Sequence, residues 1–138
     1  MPRSCADMLL GTHLTADLTG CRADHPWMID AEALRQTCAA SIAQAGLTSV
    51  GQCFHQFQPH ASHQGAGVTG VILLAESHLA VHTWPEHGTV TIDIYVCHLL
   101  QDNQRKAQQV LDQLIEGFAP KRAHVQLIER RIPADANT

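Results

Sequence analysis

Between Val90 and Cys97 apolar and polar residues alternate without a break. Val90, Ile92, Ile94 and Val96 fall on one side, and Thr91, Asp93, Tyr95 and Cys97 on the other. A period of two belongs to a strand with one buried face. His78–Trp84 repeats the pattern, with Leu79 and Val81 opposite His78, Ala80, His82 and Trp84. Pro85–Gly88 between them predicts a turn. The unbroken run Val71-Ile72-Leu73-Leu74-Ala75, inside a segment from Val68 to Glu76, predicts a strand covered on both faces. Thr12–Thr19 reads as a first strand, Thr48–Gln58 as another and about Ala123–Glu129 as the last.

Two stretches change the period. Leu34, Cys38, Ile42 and Ala45 recur three or four residues apart, after the N-cap candidate Asp30 and before the stop at Gly46. Ala107, Val110, Leu111, Leu114, Ile115 and Phe118 form a second helical stripe that begins near Asp102. Residues 20–29, with Gly20 and Pro26, predict a loop, as does Pro59–Gly67; the PADANT end is expected to fray. The order β-α-β-β-β-β-α-β predicts an α+β fold, a two-layer α/β sandwich with two helices on one face of a mostly antiparallel sheet. The other sheet face then carries His82, Trp84, Asp93, Tyr95 and Cys97. Such a face is expected to be capped by a partner or to line a site.

Composition narrows the possibilities. A chain of 138 residues suits one domain, and 45% apolar content excludes a disordered one. A net charge of −4 argues against nucleic acid or an anionic membrane as the main partner. No apolar stretch is long enough to span a bilayer, and MPRSCADMLLG makes a poor signal peptide. The five cysteines at 5, 21, 38, 53 and 97 show no framework spacing, so a reduced, cytoplasmic protein is expected. Ten histidines outnumber the nine Lys and Arg.

Three groups of residues could carry chemistry. His78 and His82, four apart in a strand, stand about 13 Å from each other and make a poor pair of ligands for one metal. His60 and His63 sit in an expected surface loop. No metal is implied. Among the cysteines, Cys38 belongs to a helix stripe and reads as core, and Cys5 and Cys21 carry no message. Cys97 shares a polar strand face with Asp93 and Tyr95, where a mostly protonated thiol can act as a weak acid.

The third group is the run Glu76 to Glu86, ESHLAVHTWPE. It resembles the pyruvoyl-dependent S-adenosylmethionine decarboxylases of bacteria and archaea, in their short single-domain form. The resemblance takes in Phe54-His55-Gln56-Phe57, Gly67-Val68-Thr69-Gly70 and Asp93–Cys97, and most of the element order. It implies a proenzyme that cuts itself between Glu76 and Ser77, into 1–76 and 77–138. Ser77 then becomes a pyruvoyl group that takes the substrate amine as a Schiff base and accepts the electrons as CO2 leaves. By the same resemblance His82 moves the processing proton, Thr69 supports the ester or oxyanion where relatives usually have serine, and Cys97 is the proton donor. Phe57 and Trp84 match the aromatic faces around adenine, and Glu86 a carboxylate near the ribose. The resemblance further implies a homodimer with its site at or near the interface, and a product used for spermidine synthesis.

The chain departs from the family pattern in places. The 59–67 loop is longer, Gln56 replaces a common arginine, His98 a common glycine, and His87-Gly88-Thr89-Val90-Thr91 an aromatic and alanine segment. Relatives with the same cleavage motif act on ornithine or arginine, so these remain alternative substrates. An uncleaved homologue that binds an adenosyl ligand or a metal is the alternative from another class. A straight strand through residue 77 would point Ser77 away from His82, so an irregular Glu76–Ser77 junction is expected.

Overall fold

The period-two and period-three-to-four stretches become strands and helices in the expected order, in a computed structural model that describes residues 7–59 and 66–133. The elements are β1 (Met8–Thr19), α1 (Pro26–Ile29), α2 (Ala31–Ala45), β2 (Ser49–Gln56), β3 (Val68–Leu74), β4 (Ser77–Trp84), a 3-10 turn (Pro85–His87), β5 (Thr89–Cys97), α3 (Gln104–Phe118) and β6 (Arg122–Ile132). One six-stranded antiparallel sheet results, in the order β2-β3-β4-β5-β1-β6. Cys5, His60, His63 and residues 134–138 lie outside the described residues.

Local chemistry sets the helix ends. The Asp30 carboxylate accepts the Glu32 and Ala33 N–H groups at 3.0 and 3.3 Å, and Gly46 closes α2 with a φ of 82°. Helices α2 and α3 pack on the sheet face that carries Leu14, Leu18, Ile72, Leu79, Ile92 and Ile94. Leu34, Ile42, Leu111, Leu114 and Phe118 meet them from the helices, all essentially inaccessible to solvent. Each such side chain stabilises the fold by about 1.5–3 kcal/mol relative to exposure.

Three expectations are corrected. Residues 20–29 are not all loop, because Pro26–Ile29 makes a single helical turn whose N-terminus is capped by His25, the ring accepting from the Trp27 N–H at 3.0 Å. Strand β3 is covered on one face only: Ile72 and Leu74 are buried, whereas Leu73 on the other face is 51% exposed. No segment of the described chain crosses that side. Finally, β6 continues past Glu129 to Ile132 and starts at Arg122, one residue before Ala123, since β1 begins at Met8 and offers it a partner along the whole length.

Candidate active site

A two-residue hairpin, Ala75-Glu76, joins β3 to β4, with Leu74 directly opposite Ser77. The turn is fastened from two directions. Ala75 N–H donates to Thr48 O at 2.9 Å, and a Glu76 carboxylate oxygen accepts the Thr48 N–H at 3.3 Å. Ser77 takes a φ of 145°, rare for any residue with a Cβ. The expected irregular junction is therefore present, and it stores on the order of 1–3 kcal/mol of strain at the serine. On the other side of the turn the Cys97 N–H donates to the Glu76 carbonyl at 2.8 Å. Glu76, Ser77 and Cys97 thus form one group at one end of the open face.

The second group gathers at the opposite end. Thr69 pairs directly with His82 across β3 and β4, and its hydroxyl lies 3.2 Å from His82 Nδ1. The His82 and Trp84 rings stand 6.0 Å apart, and His55, opposite Thr69, packs edge-on to Phe57 at 4.7 Å. Phe57 and Trp84 are 49% and 39% exposed, which for large aromatics on one face marks a surface that expects company. Glu86 follows, exposed, in the 3-10 turn.

These two groups do not meet within one chain. Ser77 and His82 are five residues apart on a single strand, about 16 Å at ~3.3 Å per residue. His82 and Thr69 cannot reach the Ser77 hydroxyl of their own chain. The five-residue spacing along one strand already contains this separation.

Between the groups lies a polar cluster that was not singled out as a unit. His13 Nε2 donates to Asp93 Oδ1 at 3.2 Å, and the His13, His78 and Tyr95 rings stand 6.0–6.5 Å from one another. The Arg130 guanidinium lies 5.5 Å from the Tyr95 ring centre. The alternation of His13, Thr15 and Asp17 along β1 was the available signal. Beside Cys97, the buried Asn103 donates its side-chain N–H to the Cys97 carbonyl at 2.8 Å. His98 accepts the Asn103 backbone N–H at 3.0 Å and meets the Thr12 hydroxyl at 2.7 Å. Among the described residues no three His, Cys, Asp or Glu side chains gather as a metal site, and no helix is long and apolar enough to cross a membrane.

Comparison with known proteins decides the family. The family model for S-adenosylmethionine decarboxylase matches residues 12–131, nearly the whole chain and both groups of the open face. The chain belongs to the S-adenosylmethionine decarboxylase family. An S-adenosylmethionine decarboxylase proenzyme from Aquifex aeolicus is 43% identical over 124 residues, 89% of this chain and 82% of that protein. One from Archaeoglobus fulgidus is 33% identical over 123 residues, 89% of this chain and 99% of that protein. The fold agrees as well: the crystal structure of the Aquifex aeolicus adenosylmethionine decarboxylase superposes with a TM-score of 0.79 at 37% identity, covering 95% of this chain and 98% of that one. The α+β sandwich is thus the S-adenosylmethionine decarboxylase fold.

Proposed function

We propose that this chain is a cytoplasmic proenzyme that cuts itself between Glu76 and Ser77 and then decarboxylates S-adenosylmethionine, releasing CO2 and the aminopropyl donor for spermidine synthesis. Family membership supports the activity. The observation that carries the cut is the Glu76 carbonyl, held by the Cys97 N–H beside a strained serine. Attack by the Ser77 hydroxyl on that carbonyl carbon turns the oxygen into an oxyanion, and a donor already at 2.8 Å stabilises it without reorganisation. The peptide C–N bond breaks as the ester C–O bond forms. Loss of the residue 77 α-proton expels Glu76 as a carboxylate, and one water then releases ammonia and leaves a pyruvoyl group on residue 77. Serine at this position, next to a polarised carbonyl, is the residue that this conversion requires.

Once formed, the pyruvoyl group supplies an electrophilic carbonyl that draws electrons as CO2 leaves. The Cys97 thiol, next to the cut in the sheet, donates a proton to the former α-carbon of the substrate. Phe57 and Trp84 offer faces to adenine and the sulfonium, and Glu86 a carboxylate to the ribose.

The processing base then comes from a second copy. We assign a homodimer whose two open faces pack together, so that the partner's His82 and the partner's Thr69 approach Ser77. Exposed Leu73, Phe57, Trp84 and Ile128 on that face support the arrangement, as does the ~16 Å that separates the two groups in one chain.

Denaturing mass spectrometry tests the reading. Two pieces, 1–76 and a 77–138 blocked by pyruvoyl, are expected, with CO2 released from S-adenosylmethionine and not from ornithine or arginine. An intact chain after long incubation overturns the self-cleavage, and turnover of ornithine or arginine alone overturns the substrate.

A further inference from the structure

Phe57 leaves β2 on the open face, and the residue before it points the other way. Gln56 closes β2 on the helix side, where its amide makes contacts with two separate pieces of backbone. The Asp30 carboxylate serves the Glu32 and Ala33 N–H groups, which leaves the first N–H of α2, that of Ala31, without a partner inside the helix. Gln56 Oε1 accepts it at 2.8 Å. The two hydrogens on Nε2 face three carbonyls, those of Ala66, Gly67 and Phe57, at 3.1, 3.3 and 3.4 Å. Gly67 O also accepts the Phe57 N–H at 2.9 Å.

The same backbone reaches the second aromatic. Gly67 lies so close to Thr83 that a Cβ there would fall 2.2 Å from the Thr83 carbonyl oxygen. Thr83 is buried, donates to Met28 O at 2.8 Å and accepts the Val68 N–H at 2.8 Å. Trp84 is the next residue. Gln56 and Thr83 therefore tie the chain segments that carry Phe57 and Trp84 to one anchor behind the sheet, the Met28–Ala31 stretch.

We propose that Gln56 is a positioning residue that sets substrate affinity by fixing the Phe57 backbone, and with it the gap between Phe57 and Trp84 into which a flat base fits. The proposal rests on the assignment of those two aromatics to the substrate. An arginine in this place has donors for the three carbonyls but no acceptor for Ala31, whereas glutamine serves both. The donor arm is the one that holds Phe57.

Substitution separates the arms. Gln56→Glu keeps the acceptor toward Ala31 and presents an oxygen to the carbonyls; Gln56→Arg does the reverse. In the processed enzyme, Gln56→Glu is expected to raise KM for S-adenosylmethionine about tenfold, with kcat and the self-cleavage rate within about twofold of the parent. Gln56→Arg is expected to keep KM within about twofold. In a Phe57→Ala background the Gln56→Glu effect should vanish, because the two residues act as a unit. An unchanged KM in Gln56→Glu, while Phe57→Ala raises it, overturns the role of Gln56 alone. A rise in Gln56→Arg but not in Gln56→Glu reduces Gln56 to a helix cap, and equal rises in the two variants, or additive effects with Phe57→Ala, leave the donor arm no part of its own; each of these also overturns it. If Phe57→Ala itself leaves KM unchanged, the aromatic assignment fails and the proposal falls with it.

Discussion

The backbone N–H of Cys97 donates to the carbonyl of Glu76 at 2.8 Å, so the residue proposed as proton donor also touches the bond proposed to be cut. Its two proposed duties use different atoms. On that proposal processing uses the amide and turnover the thiol, so Cys97→Ala should still cleave itself into two pieces. Its CO2 release should fall by about 10²–10⁴-fold, the usual effect of losing a general acid. Mass spectrometry and a CO2 assay on one preparation check both halves, and an uncut Cys97→Ala chain contradicts the division of labour.

The proposed sharing of the site between two copies has a genetic signature. Neither Ser77→Ala nor His82→Ala should process when produced alone. Produced together, mixed dimers pair the intact Ser77 of one chain with the intact His82 of the other. The cut piece should then derive from the His82→Ala chain, which isotopic labelling of one variant reveals. Absence of any cut in the mixture would overturn the shared site.

Gly11 sits under the Tyr95 ring in β1. A Cβ there would meet the Val96 carbonyl oxygen at 2.4 Å and the ring at 2.9 Å. Gly11→Ala must therefore push β1 and β5 apart as well as displace the ring, and overpacking of this kind costs about 1–3 kcal/mol. A melting temperature lower by several degrees is expected from thermal unfolding. An unchanged midpoint would mean that the strands yield freely there.

Burial pushes the Cys38 thiol up to about 12 from an ordinary value near 9.0, because the thiolate would lose its hydration inside the α2 stripe. A folded-state value above the unfolded one means that this contribution is whole below about pH 9 and is lost as pH climbs toward 12. Cys38→Val should flatten the decline in stability across that alkaline window relative to the parent. Denaturant midpoints measured at pH 7, 9, 10 and 11 check it, and identical slopes for the two proteins would refute it.

Most of the architecture was legible because it follows from burial. Val90 to Cys97 and His78 to Trp84 alternate since one side faces the helices, and the α3 stripe repeats for the same reason. Where burial is not periodic, the pattern failed. α1 is four residues long, too short to show a period, and β6 is exposed on both faces from Arg122 to Arg131. The run Val71–Ala75 has the composition of a doubly covered strand although its own chain covers only one side. Of the proposed site, residue types and motif were readable, but the Cys97 amide and the Gln56 anchors were not. Hydrogen bonds of that kind depend on backbone brought together from distant parts of the chain.

The strand order decides what a cut between Glu76 and Ser77 would leave behind. Residues 1–76 hold β1, β2 and β3, while 77–138 hold β4, β5 and β6, yet β1 lies between β5 and β6 and β3 lies against β4. The halves are woven through each other at three seams, and the break falls where β4 leaves the two-residue Ala75-Glu76 turn. A nick there opens no sheet and frees neither half. The cleaved molecule should migrate as one body under native conditions and part only when the whole sheet melts. Self-cleavage can thus be irreversible in its covalent chemistry and nearly silent in its architecture.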